Sequence, residues 1–136
     1  MNIRIVTSAK LNKEFVRQGV EEYTKRLSRY CKLSFISVRR PEDASRMIKG
    51  REVLILVNDK GKSVSSEYLA EYINSLGIKG RSDLFFLLTP GEVPNLKGDL
   101  HISLTNMDMD IQLLILTLYE QIYRAYTIIH GLPYHK

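Results

Sequence analysis

Val53-Leu54-Ile55-Leu56-Val57, then Asn58-Asp59-Lys60-Gly61-Lys62, then Ser65-Ser66-Glu67 is the stretch whose pattern decides the fold. Five consecutive β-branched or leucine residues, with no polar alternation, suit a strand covered on both faces, as in a parallel sheet. The polar segment with Gly61 predicts a turn. Ser65-Ser66-Glu67 predicts a helix start, with Leu69, Tyr72, Ile73 and Leu76 on the inner face. Strand, turn and helix in that order make half of a βαβ unit.

The alternation extends in both directions. Met1–Thr7 reads as a first strand, with Ile3 and Ile5 on one face. A helix is predicted from near Lys13 to Tyr30, because Val16, Val20, Tyr23, Leu27 and Tyr30 fall alternately four and three apart. Leu33–Val38 is a second strand, and Pro41-Glu42-Asp43 opens a short helix with proline and acids in its first turn. Leu84–Leu88 and His101–Leu104 complete the strands, and a long helix follows over 111–130. The fold class is therefore α/β, a mostly parallel sheet flanked by helices, in a single domain spanning residues 1–136. Ligands of such sheets sit beyond the carboxyl ends of the strands, which selects three loops, 57–62, 89–94 and 104–110.

Composition bounds the function. No uncharged stretch is long enough to span a membrane. The amino terminus lacks a signal-peptide pattern. A single cysteine, Cys31, excludes an internal disulfide; together these predict a cytoplasmic protein. No Cys/His cluster has metal-ligand spacing, so no metal is expected. Residues 1–51 carry thirteen Lys/Arg against five Asp/Glu, whereas 52–136 carry seven against ten. The basic half either faces a polyanion, RNA or DNA ahead of membrane, or is a solvated charged face. The last helix is apolar on nearly every side, from Ile111 to Ile129. One small domain covers one side of such a helix, which predicts that a second copy in a homodimer covers the other.

Few residues suggest chemistry on their own. Cys31 reads as a buried structural thiol, His101 as an edge histidine and His130 as a cap near the helix end. Arg124, on an otherwise apolar helix, needs an anionic partner, either Glu120 four residues earlier or a phosphate. His135, after Pro133-Tyr134, either serves a substrate as an acid–base group or hangs in solvent. In Thr105-Asn106-Met107-Asp108-Met109-Asp110, Asp108 or Asp110 caps the helix that follows, or the segment cradles a small ligand.

The closing segment, with Glu120-Gln121-Ile122-Tyr123-Arg124-Ala125 and Gly131-Leu132-Pro133-Tyr134-His135-Lys136, resembles that of the RlmH (YbeA-like) family of SPOUT-superfamily methyltransferases. Further parts of the resemblance are Glu21-Glu22-Tyr23-Thr24-Lys25-Arg26-Leu27, Gly61-Lys62, Ser65-Ser66-Glu67-Tyr68-Leu69-Ala70 and Ser82-Asp83. It implies a SPOUT-like fold with a C-terminal trefoil knot, a rare exception to unknotted topology, and a dimer. It also implies S-adenosylmethionine-dependent methylation of the N3 position of a pseudouridine in large-subunit (23S) ribosomal RNA, within the assembled ribosome. Carried over by position, the cofactor contacts are Val57, Thr89, Leu104, Thr105, Asn106, Met107, Asp108 and Met109. Tyr134, His135 and Arg124 become the catalytic group, with His135 as proton acceptor. Lys13, Arg17, Lys25 and Arg26 become the grip on RNA. The rival expectation is a non-enzymatic RNA- or ribosome-binding protein with a degenerate SPOUT cofactor site. An unrelated doubly wound domain acting on a phosphorylated small molecule ranks behind both, for want of a glycine-rich strand-to-helix loop.

Overall fold

The computed structural model describes residues 1–91 and 95–136. Five strands form one sheet, β1 (Asn2–Thr7), β2 (Lys32–Ser37), β3 (Val53–Ser63), β4 (Asp83–Leu88) and β5 (Leu100–Ser103). Their order is β2-β1-β4-β3-β5 and every pairing is parallel. Three helices, α1 (Glu14–Leu27), α2 (Ser66–Ile78) and α3 (Ile111–Ile129), share one face of it. The other face is covered by a 3-10 helix at Pro41–Met47 and neighbouring apolar residues.

Strict alternation assigns the side chains. Ile3, Ile5, Val53, Ile55, Val57, Leu84, Phe86 and Leu88 point toward the helices. Val6, Leu54, Leu56, Phe85 and Leu87 pack under the 3-10 helix with Ala44. Phe85 and Phe86, successive residues on opposite faces, are both fully buried. Each contributes on the order of 2–3 kcal/mol of apolar burial, so the sheet has two cores.

Two sequence expectations are corrected. Residues 58–62 are not a turn: β3 continues through them to Ser63, and Lys62 and Ser63 pair with Ile102 and Ser103 after a register shift from Val57. Pairing with β5 holds this polar segment extended, which local composition could not reveal. The first helix ends at Leu27 instead of Tyr30, because the bonding tightens there to i→i−3, Ser28 N–H to the Lys25 carbonyl and Tyr30 N–H to the Leu27 carbonyl. Other boundaries move by a residue or two. The caps agree with chemistry: Ser65 Oγ accepts the Tyr68 N–H at 3.0 Å, and Asp110 Oδ1 accepts the Gln112 N–H at 2.8 Å.

On the second face Glu52 is buried and meets Arg4 Nη2 at 2.7 Å. Burial pushes its carboxyl up, but hydrogen bonds from backbone N–H groups, including that of Lys49, and the Arg4 guanidinium outweigh this and hold it at about 2. A carboxyl lower in the folded state than in the unfolded chain stabilises above the unfolded value. That contribution is lost as pH falls from the ordinary 4.5 through 2. Urea midpoints at pH 7 and pH 3 are expected to differ more for the parent than for Glu52→Gln, which is already weakened at pH 7. Equal pH sensitivity in the two proteins would assign the acid loss to other carboxylates.

Candidate functional site

The carboxyl ends of β3, β4 and β5 open onto a pocket of about 330 Å³, within the range of small-ligand sites. Val57, Asn58 and Asp59 come from β3, Thr89, Pro90 and Gly91 from the segment after β4, and Ser103, Leu104, Thr105, Met107, Asp108 and Met109 from β5 and beyond. Ile111 and Leu114 of α3 close it. Parallel strands place these segments together because all end on the same edge.

Local hydrogen bonds fix the pocket's walls. Thr89 Oγ1 donates to the Gly91 carbonyl at 2.9 Å, and Asn58 Nδ2 donates to the same oxygen at 3.1 Å. Asn58 Oδ1 accepts the Lys60 N–H at 2.9 Å and faces His101 Nε2 at 2.6 Å, so His101 donates from Nε2. One side chain thus ties two of the three segments to β5. On the third, Ser103 Oγ donates to the Thr105 carbonyl at 2.8 Å and Met107 N–H donates to Thr105 Oγ1 at 3.1 Å. These turns leave apolar groups (Val57, Leu104, Met109, Leu114) facing two carboxylates, Asp59 and Asp108. Such a lining can hold a ligand with a flat apolar part and a cationic part. Among the described residues no cluster of three or more His, Cys, Asp or Glu could hold a metal ion.

Seven residues expected at the cofactor line this pocket: Val57, Thr89, Leu104, Thr105, Met107, Asp108 and Met109. Asn106 does not; its Oδ1 accepts from Ser63 Oγ at 3.0 Å, on the β3 side. The Glu92-Val93-Pro94 part of the loop after β4 lies outside the described residues. Asn58 carries the most local bonds of the pocket yet was not singled out from sequence. An asparagine in a polar segment reads as a turn former, and only the β3–β5 pairing turns it into a brace.

Tyr134, His135 and Arg124 come together elsewhere. Arg124 Nε and Nη2 donate to Glu120 Oε1 at 2.9 and 2.7 Å, which makes Glu120 its partner in this chain. Tyr134 stands under the Arg124 guanidinium at 4.9 Å, and its hydroxyl donates to Glu120 Oε1 at 3.2 Å. Burial, then Tyr23 and Glu120, push the Tyr134 phenol up, so it stays a neutral donor. Arg124 Nη1 donates to His135 Nδ1 at 3.0 Å, which leaves the imidazole proton on Nε2, facing Glu67 Oε1. The hydrogen bond from His135 holds the Glu67 carboxyl below its usual range. None of the three lines the pocket. Arg124 is ten residues along α3 from Leu114, about 15 Å along the axis.

His130 is the C-cap residue of α3, its backbone N–H donating to the Tyr126 carbonyl at 3.0 Å, and its ring stacks on Tyr30 at 5.1 Å between centroids. Cys31 is buried and its thiol is pushed up to about 11 by burial, as befits an inert packing residue.

A pocket at the carboxyl edge of a five-stranded parallel sheet, walled by a helix, is where such sheets bind their ligands. A family model described as "Predicted SPOUT methyltransferase" matches residues 1–135, and the chain belongs to that family. Three relatives align over the whole length of both chains, and each is named Ribosomal RNA large subunit methyltransferase H. That of Limosilactobacillus reuteri (strain DSM 20016) is 39% identical, and that of Clostridium novyi (strain NT) is 37% identical. A third, distinguished by the number 1 and from Thermoanaerobacter sp. (strain X514), is 33% identical. Membership implies that the reaction draws on a methyl donor. No helix among the described residues is long and apolar enough to cross a membrane.

Proposed function

We propose that this protein is a cytoplasmic methyltransferase that uses S-adenosylmethionine to methylate N3 of a pseudouridine in large-subunit ribosomal RNA, within the assembled ribosome. The observation that carries the reading is the carboxyl-edge pocket in a chain of this family. Its lining fits the cofactor's chemistry: apolar walls for an adenine ring and Asp59 and Asp108 for cationic groups. When bound, the cofactor supplies an electrophilic methyl on a sulfonium.

This chain's own residues then have three tasks. The segments braced by Asn58 and Thr89 would hold and orient the cofactor, and holding two reactants together is itself a large source of rate. Tyr134 offers an aromatic face and a hydroxyl to the target base. His135 would accept the N3 proton of the target base, leaving that nitrogen's electron pair free to take the methyl as the sulfonium S–C bond gives its pair to sulfur. Its Nδ1 becomes available when Arg124 turns to an RNA phosphate, and Glu67 on Nε2 stabilises the resulting imidazolium. The separation of tail and pocket along α3 favours a homodimer in which one protomer's tail serves the other's pocket. The trefoil knot belongs to the same reading and rests on the family alone.

Mass spectrometry of large-subunit rRNA, from cells with and without the protein, is expected to show one methylated pseudouridine lost in its absence. Calorimetry should show saturable binding of S-adenosylmethionine. An unchanged rRNA spectrum, with no binding at millimolar cofactor, would favour the non-enzymatic RNA- or ribosome-binding reading.

A further inference from the structure

Three of the four cations chosen from sequence as an RNA grip have an acidic neighbour within the chain, and Lys25 has none among the described residues. Arg17 pairs with Glu14 at 3.8 Å, Arg26 with Glu22 at 2.8 Å, and Lys13 with Asp110 at 4.0 Å. Among the described residues other cations, Lys10, Arg39, Lys60 and Lys62 among them, enter no ion pair either, but one group of four is clustered around a depression at the opposite end of the sheet from the methyl-donor pocket. There the chain enters β3 through Lys49-Gly50-Arg51 and enters β4 through Lys79-Gly80-Arg81, the same tripeptide twice.

β3 and β4 are adjacent, with Val53 opposite Leu84, so the two tripeptides lie side by side. Gly50, Arg51, Gly80, Arg81, Ser82 and Asp83 line a shallow depression of about 490 Å³ between them. Both glycines sit at positive φ, 95° and 75°, with open space where a Cβ would project. The turns therefore stay low, and all four cationic residues are exposed around them. None of the four enters an ion pair among the described residues. Of the nearby acids, Glu52 binds Arg4 and the Lys49 N–H, while Asp83 lines the depression, accepts from the Asn2 side chain at 3.2 Å and leaves the four cations in excess by three charges. The α2 dipole explains cations after its carboxyl end at Lys79 and Arg81. It does not explain Lys49 and Arg51, which follow no α-helix.

We propose that the twin Lys-Gly-Arg turns form a second RNA contact, which grips backbone phosphates at the amino edge of the sheet. Exposed arginines with a fork of N–H donors match phosphate oxygens. A six-residue strand spans about 20 Å, so a single nucleotide cannot reach both edges. A folded RNA does, and the surface therefore selects the large rRNA particle by its backbone while the pocket acts on one base. This rests on the functional reading above.

The test compares parent, R51A/R81A and R51K/R81K in sedimentation binding to purified large ribosomal subunits across a potassium chloride series. Two lost phosphate contacts should lower the slope of log affinity against log salt by about 2 in the alanine variant. The lysine variant should keep the parent slope, and S-adenosylmethionine affinity should be the same in all three. A parent slope in R51A/R81A overturns the surface, as does an equal loss in R51K/R81K. Saturable inorganic phosphate binding at these arginines, with subunit affinity indifferent to their loss, would make it a small-anion site and also overturn it. If the parent protein methylates rRNA while the alanine variant binds normally, only this inference fails. If the parent protein neither binds subunits nor methylates rRNA, the functional reading falls and takes the inference with it.

Discussion

Gly61→Ala is expected to destabilise the protein by about 3 kcal/mol or more and to abolish cofactor retention. A Cβ at Gly61 would stand 2.3, 2.5 and 2.6 Å from the carbonyl carbon, oxygen and nitrogen of Ile102. These are backbone atoms of a buried strand, so no rotamer change relieves the overlap. Gly61 is not among the positive-φ glycines, so the objection to alanine is the missing space and not the dihedral. Relief requires β5 to move away from the end of β3, and that movement separates Asn58 and Asp59 from Ser103, Leu104 and Thr105. The melting temperature should fall by roughly 10 °C. Gly50→Ala is the control: its φ of 95° carries a conformational penalty of about 1 kcal/mol, but nothing lies within 4 Å of the new carbon. A Gly61→Ala protein as stable as the parent and still able to bind cofactor would mean that β5 yields at no cost.

The position of Gly61 also marks the limit of what the sequence made legible. Val53–Val57 announced a strand buried on both faces because apolar content alone carries that message. Residues 58–62 carried the opposite signal, and they are strand only because β5, forty residues later, pairs with them. Local composition cannot encode a partner that far along the chain. The helices fared better, since spacing at three and four residues is itself the cause of burial: Val16, Val20 and Leu27 are buried as their stripe predicts. α3 looked too apolar to be covered by one chain. α1 and α2 flank it and bury Ile115, Leu118, Tyr119 and Ile122, whereas Leu113, Leu114, Leu116, Ile128 and Ile129 stay half-buried, so one chain covers only part of it.

At the site, the meeting of segments from β3, β4 and β5 was legible because the parallel topology dictates which ends of the strands lie together, although the first of them is strand and not loop. Individual roles within them were not. Asn106 and Met107 are neighbours in one turn, and only Met107 reaches the pocket, a matter of turn geometry that residue type does not set. Asn58 and Glu67 acquire their importance from His101 and His135, partners 43 and 68 residues away. Arg124 was the clearest polar signal, because a guanidinium on an apolar helix must find an anion, and Glu120 was the nearest by helical spacing.

Mixing two inactive variants is expected to restore methylation, and the amount restored tells whether tail and pocket act across a dimer. His135→Ala removes the proposed proton acceptor and should lower single-turnover methylation by about 10²- to 10⁴-fold with cofactor affinity unchanged. Leu104→Arg places a long cation in the pocket wall and should abolish cofactor binding while leaving the Tyr134–His135–Arg124 cluster intact. In a mixed dimer the His135→Ala protomer keeps a sound pocket and the Leu104→Arg protomer keeps a sound tail. If the tail serves the opposite pocket, that dimer has one complete site of two. Random pairing makes half the dimers mixed, so the mixture should regain about one quarter of the parent rate. If each tail serves its own pocket, every site in the mixture lacks either the imidazole or the cofactor, and nothing is regained. Methylation undiminished in His135→Ala alone would remove the imidazole as proton acceptor, whatever the arrangement. The α3 geometry sets the expectation: Ile111 and Leu114 close the pocket, and the tail folds back only as far as Arg124 and Glu120, too far along the helix for His135 to reach its own pocket without leaving Glu67.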